Sequence, residues 1–212
     1  MNARLLLILA IVISGLFYLR AAYAGSAGQI YLLKPLTTLL IIFLAWRMPG
    51  SSLLFKRLIL AGLFFSLAGD VFLMLPQDRF IAGLISFLVA HLFYIAAFVS
   101  SAGFRMTAWP LGAYLLYGAL MLLLLWPHLG ALRLPVLVYM AVILVMGWQG
   151  LERGLFLNTQ GAWLAAAGAA FFVASDSLLA LDRFRGQFPA ATALVMITYW
   201  TAQTLLARSV GR

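Results

Sequence analysis

The chain has 212 residues, 66% of them hydrophobic and 9% charged, with a mean hydropathy of +1.09; this excludes an ordinary soluble domain and makes it an integral membrane protein. The absence of cysteine excludes disulfides, thiolate metal sites and a cysteine nucleophile. The net charge of +9 comes from 14 Lys and Arg scattered singly near helix ends, a pattern that fits membrane anchoring and not a nucleic-acid partner.

At about 20 apolar residues per span, the pattern predicts eight transmembrane helices, at about 5–23, 31–46, 58–76, 80–99, 108–126, 134–150, 161–181 and 190–208. Short connections make this one all-α polytopic membrane helix bundle, a single domain over 1–212.

In chain order, the first helix imitates a cleavable secretory signal, with Arg4, an apolar run and Ala22-Tyr23-Ala24 before Gly25. Arg20, between that run and the apparent cleavage site, favours its retention as helix 1. The second helix opens on Lys34-Pro35, with Thr37 and Thr38 on the Lys34 face. The third carries Gly62, Ser66 and Asp70. A carboxylate at membrane depth costs about 2.5–3.5 kcal/mol on insertion scales, so it faces a protein interior or a wet cavity and marks function.

The fourth helix places His91 and Tyr94 on one face, and the sixth has Tyr139 as its main polar residue. The seventh combines a small-residue face, Gly161, Ala165 and Ala169, with the second intramembrane carboxylate, Asp176. The eighth carries Tyr199 and Gln203. Trp46, Trp109, Trp126 and Trp200 suit interfacial belts or packing. His128, Asp78, Glu152 and Asp182 fall near helix ends or in loops, where solvated charge is the expectation.

Depth brings the polar residues together. Asp70 precedes Pro76, and Asp176 precedes Asp182, by equal intervals, which puts each about 9 Å below one surface at 1.5 Å per residue. Lys34 and Tyr139 fall just inside the same surface, with His91, Tyr94 and Tyr199 nearer mid-depth, so one pocket opening to one leaflet is expected. Aligning Asp70 with Asp176 also aligns Phe64-Phe65 with Phe171-Phe172 and nearly aligns Tyr94 with Tyr199. That suggests two parallel four-helix halves related by an axis along the membrane normal. Basic residues divide eight to six in favour of the side bearing the N-terminus, the 47–57, 100–107 and 151–160 loops, and Arg212. The expectation is a bacterial inner membrane protein with both termini cytoplasmic.

Each residue also has a purely structural reading: Asp70 or Asp176 bonded to a neighbouring Ser or to Lys34, His91 as a helix-packing residue, and the tyrosines as buried aromatics with satisfied hydroxyls. Metal chemistry lacks support, with two histidines and neither HExxH nor paired-His spacing. A Ser-His-Asp site lacks a GxSxG elbow.

The segments YLLKPLTTLL, FFSLAGDVFLML, AHLFYIAAF, VYMAVI, FFVASDSLLAL and ITYWTAQTLLA, in this order over nearly the whole chain, make it resemble the YhhN family of multi-pass membrane proteins, whose characterised members are lysoplasmalogenases. The resemblance implies hydrolysis of the sn-1 vinyl ether of a lysoplasmalogen to a fatty aldehyde and glycerophospho-ethanolamine or glycerophospho-choline. Such a reaction needs an acid and a base, and two carboxylates flanking an oxocarbenium-like state follow the logic of glycosidases. The expected catalytic pair is Asp70 and Asp176, without preference for the acid. Lys34, His91, Tyr94, Tyr139, Tyr199 and Gln203 bind substrate, the tail lies toward mid-membrane, and no metal or cofactor is required. The partners are the lysophospholipid and membrane lipids. The rival reading is a lipid or small-solute transporter that uses the aspartates as proton or ion sites, or another membrane lipid hydrolase.

Overall fold

The structure is a computed structural model that describes residues 3–50 and 52–211; Arg212, counted above among the basic residues, lies outside the described residues. The described residues form eight α-helices: α1 (Ala3–Tyr23), α2 (Ala27–Arg47), α3 (Leu53–Met74), α4 (Phe80–Ala102), α5 (Ala108–Leu125), α6 (Arg133–Leu157), α7 (Gln160–Phe184) and α8 (Ala191–Arg208), with two short 3-10 turns between α5 and α6. Seven segments, containing α1 to α7, are long and apolar enough to cross a membrane. The remaining helix, α8, is less apolar because it carries Tyr199, Thr201, Gln203 and Thr204, of which Tyr199 and Gln203 are buried in the bundle. The protein is an integral, multi-pass helical membrane protein, and the many exposed Leu, Phe and Trp side chains on its outside are what a bilayer accommodates.

Local chemistry explains the helix limits. Ser52 caps α3 by accepting the Phe55 N–H, and Thr159 caps α7 by accepting the Ala162 N–H. Pro110 and Pro135 fall in the first turns of α5 and α6, where no intrahelical N–H is lost. Asn158, at φ 46°, adopts the left-handed conformation that ends α6.

That last helix is longer than the sequence pattern suggests, and the extra turns correct two expectations. Glu152 is not a solvated loop charge: it is buried within α6 and accepts from the Thr107 backbone N–H, the Thr107 hydroxyl and the Trp148 indole. Arg153, counted as a loop charge, is also buried, donating to Ser101 Oγ and to the Gly161 carbonyl. A buried charge persists only with such partners. Similarly α2 starts at Ala27, so Lys34 is two turns inside the helix rather than at its first. The aspartates also differ in depth. Asp70 is four residues from the end of α3 and Asp176 eight from the end of α7, about 6 Å and 12 Å respectively at 1.5 Å per residue.

Packing follows a repeating scheme. Consecutive helices pack together within α1–α4 and again within α5–α8, and the halves meet where α4 packs on α6 and α2 packs on α8. Advancing each helix number by four converts α4–α6 into α8–α2. Gly62 and Gly168 each stand eight residues before an aspartate and each admits the following helix closely. A Cβ at Gly62 would lie 2.3 Å from the Tyr94 ring, and one at Gly168 3.0 Å from the Ala202 carbonyl oxygen. The outer helices break the scheme: α1 packs on both α2 and α8, with Tyr18 edge-on to Trp200, whereas α5 packs on α6 and only lightly on α7.

Candidate active site

Odd-numbered helices end, and even-numbered helices begin, at the surface nearest Asp70 and Asp176. There α2, α3 and α4 of the first half and α6, α7 and α8 of the second turn polar residues inward. Asp70 is 1% exposed. Its Oδ2 accepts from the Thr38 hydroxyl at 2.7 Å and the Tyr199 hydroxyl at 2.8 Å, and its Oδ1 faces Lys34 Nζ at 3.7 Å. Asp70 on α3 is thus held from α2 and α8.

Asp176 is held in the corresponding way, by α6 and α4. Its Oδ2 accepts from the Tyr139 hydroxyl and faces His91 Nε2 at 3.6 Å. His91 Nδ1 lies 2.7 Å from the Phe87 carbonyl; a carbonyl only accepts, so Nδ1 carries a proton, and Nε2 is the ring nitrogen turned to Asp176. Tyr139 OH lies 3.4 Å from that nitrogen. Asp176 Oδ1 has no hydrogen-bond partner among the described residues.

Both carboxylates line one cavity of about 490 Å³, along with Tyr18, Lys34, Ser175 and Tyr199. Toward its mouth the lining changes to charge of both signs: Asp78, Arg79, Asp182 and Arg183, with Gln187 beside them. Arg183 Nη2 donates to Asp78 Oδ2 at 2.5 Å, and this hydrogen bond holds the exposed Asp78 carboxyl below its usual range. Asp176 also borders a second, narrower pocket of about 70 Å³ whose lining is apolar except for Tyr117, Tyr139, Asp176 and Ser177. That pocket lies between α4, α5, α6 and α7, with Leu73 of α3 at its edge. Its lining runs from Leu144 and Val173, about 16 Å below the surface at 1.5 Å per residue, along the helices to Leu125, Val136 and Phe184, at the surface that the larger cavity also meets.

The structure therefore brings Lys34, Asp70 and Tyr199 together around one carboxylate, and His91, Tyr139 and Asp176 around the other. Tyr94 and Gln203 stand apart. The Tyr94 hydroxyl donates to Gln203 Oε1 at 2.9 Å, with Ser66 Oγ at 3.3 Å, and this fully buried group lines neither cavity. Phe172 packs against the rings of His91, Tyr94 and Tyr199. Thr38, on the Lys34 face read from the sequence, reaches Asp70. Tyr18 is a lining residue that sequence reasoning missed; it gives no signal, since a tyrosine in an apolar helix is ordinarily a packing residue. Among the described residues no group of three or more His, Cys, Asp and Glu could hold a metal ion.

Comparison with known proteins bears on what this arrangement does. A family model described as "YhhN family" matches residues 29–210. The chain is 33% identical over 203 residues to "Uncharacterized membrane protein YhhN" of Escherichia coli O6:H1, covering 95% of this chain and 97% of that one. It is 39% identical over 163 residues to "Lysoplasmalogenase TMEM86A" of Bos taurus, covering 71% of this chain and 64% of that one. Against "Lysoplasmalogenase TMEM86B" of Homo sapiens it is 33% identical over 191 residues, covering 85% and 75% respectively. No solved structure matches the chain.

Proposed function

Since the chain belongs to the YhhN family, we propose that it is a lysoplasmalogenase, which hydrolyses the sn-1 vinyl ether of lysoplasmenylethanolamine or lysoplasmenylcholine. The single observation carrying this reading is that two carboxylates with different partner sets line one cavity. Relatives named lysoplasmalogenase support it. A mouth with charges of both signs matches a headgroup that has a phosphodiester and an ammonium.

The partner sets suggest the roles. Every group around Asp70 is a donor: two hydroxyls and an ammonium. Such a set suits an acceptor-only, ionised carboxylate. Asp176 has a single hydroxyl donor, with no partner on Oδ1 among the described residues, and lines both cavities, which suits a carboxylic acid with a proton to give. In the proposed reaction the Asp176 proton adds to the vinyl ether β-carbon, and the double-bond electrons form the new C–H bond. The resulting oxocarbenium ion is stabilised by Asp70. Water adds to its α-carbon while the Asp176 carboxylate takes the water proton, giving a hemiacetal. Proton transfer from the hemiacetal hydroxyl to the glycerol oxygen breaks the C–O bond and yields aldehyde and alcohol, with both carboxyl groups restored. Tyr139 and His91 position Asp176; Lys34, Thr38 and Tyr199 position Asp70. Tyr94 and Gln203 shape the floor beneath them. The scheme requires no metal or cofactor.

Both termini are placed on the cytoplasmic side of a bacterial inner membrane, from the bias of basic residues. The cavity mouth then faces the opposite leaflet. The deciding experiment is aldehyde release by purified protein from lysoplasmenylethanolamine, with an acyl lysophospholipid as control. Asp70→Asn and Asp176→Asn should each lower turnover by about 100-fold or more while eluting as the folded protein does. Near-normal turnover in either variant would overturn the pair mechanism. An absence of aldehyde from folded wild type would favour the transporter reading.

A further inference from the structure

We propose that the apolar pocket between α4, α5, α6 and α7 is the subsite for the hydrocarbon chain of a single-chain lipid, and that Gly118 determines its admission. The inference rests on the vinyl ether reading above, because it takes Asp176 as the point where polar head and chain part company.

Three observations carry it. First, Asp176 borders both cavities, one polar and charged at its mouth, the other apolar. A glycerol vinyl ether has the same division: oxygen-rich on one side of the scissile C–O bond, hydrocarbon on the other. With the headgroup in the larger cavity and the bond at Asp176, the chain meets the apolar opening. At about 70 Å³ the pocket takes a short segment of one hydrocarbon chain.

Second, the pocket exists because α5 departs from the packing of its counterpart. In the first half α1 closes on α8 through Tyr18 and Trp200. In the second half the corresponding closure of α5 on α4 is absent among the stronger helix pairings, and the space left lies beside Asp176. Met121, Leu125 and Val136 accordingly form a small apolar cluster of their own, apart from the main core.

Third, the width of the pocket depends on a residue without a side chain. Gly118 is buried on the pocket face of α5, and a Cβ there would lie 2.4 Å from Leu144 Cδ1. Leu144 also lines the pocket, so a larger residue at 118 fills the space directly and displaces Leu144 within it. From Gly118 to Leu125 the helix rises about 10 Å at 1.5 Å per residue. The pocket therefore holds the part of the chain next to the ether.

The test uses a photoreactive, non-hydrolysable 1-O-alkyl lysophosphoethanolamine with a diazirine near the ether end of its chain, added to full-length protein in lipid nanodiscs. Labelling is expected within residues 118–125 of α5 and to be competed by the unlabelled ether lipid but not by tail-free glycerophosphoethanolamine. Gly118→Leu should reduce competed labelling about tenfold, the scale on which apolar pockets discriminate. Ala119→Leu, on the exposed face of the same helix, should leave it unchanged. Met121→Trp provides a second means of filling the pocket if Gly118→Leu does not fold. Uncompeted label spread over exposed residues such as Leu116 and Leu123 would overturn the proposal, as would equal competed labelling in wild type and a folded pocket-filling variant. Aldehyde release from the matching vinyl ether, measured on the same preparation, separates the two claims. Competed label without aldehyde upholds the chain subsite and sinks the hydrolase reading; aldehyde without competed label does the reverse.

Discussion

Asp176 presents one oxygen to Tyr139 and His91 and lines both cavities. In the proposed mechanism the Tyr139 hydroxyl orients the acid without touching the reacting carbons. Tyr139→Phe should then lower kcat about tenfold and leave KM within about twofold, as expected when an interaction used mainly in the transition state is lost; a rise in KM alone would assign Tyr139 to substrate binding. The residues that sequence made legible were those whose polarity conflicts with membrane depth. Asp70, Asp176, Lys34, Tyr139 and Tyr199 could be selected because hydrocarbon penalises each of them unless partnered. His91, Tyr94 and Gln203 were selected on the same ground, yet two of the three serve a deeper layer. Spacing along a helix gives a shared face but not which partners on other helices that face meets.

The helices themselves were legible because apolar runs of membrane length are unambiguous. Their ends were less so. The α6 end was set too early because Glu152 and Arg153 have the composition of a loop, and only tertiary partners make them interior residues. A signal was present in Gly147, Gly150 and Gly154, whose three- and four-residue intervals mark one helical face. Their absent side chains admit Tyr114, Phe98 and Trp163. Glu152 also fixes the approach to α5 by holding both the N–H and hydroxyl of Thr107. Farther along, the Tyr117 hydroxyl donates to Ser177 Oγ at 2.7 Å, the one side-chain hydrogen bond from α5 to another helix among the described residues. Glu152→Ala strands the buried Trp148 indole and leaves the N–H of the exposed Thr107 to water. It should cost about 1–3 kcal/mol per buried unpaired donor, lowering the unfolding midpoint by about 2–4 °C for each kcal/mol. Differential scanning fluorimetry in detergent measures this; an unchanged midpoint would mean that water replaces both bonds.

For the whole molecule, the correspondence between halves extends from helix pairing to chemistry. Asp70 is held from α2 and α8, Asp176 from α6 and α4, and both sets interchange when helix numbers advance by four. Aspartate and tyrosine spacing hinted at this repeat, but the departure of α5 from it could not be read, because apolar residues that pack and apolar residues that line a pocket have the same composition. Orientation is testable directly, since the chain has no cysteine. Gln187→Cys should react with an impermeant maleimide in intact spheroplasts and Asn158→Cys only after lysis; the reverse pattern would invert the proposed topology. The carboxylate mechanism also predicts undiminished turnover after exhaustive chelation, and loss restored by one divalent cation would replace it with a metal-assisted route. Finally, the position of Asp176 between a charged-mouthed cavity and an apolar one bears on the fate of the proposed products. The glycerophosphodiester would diffuse into water while the aldehyde dissolves in the leaflet. Neither could readily find the other again, so separation into two phases would draw the reaction forward and relieve product inhibition without any energy source.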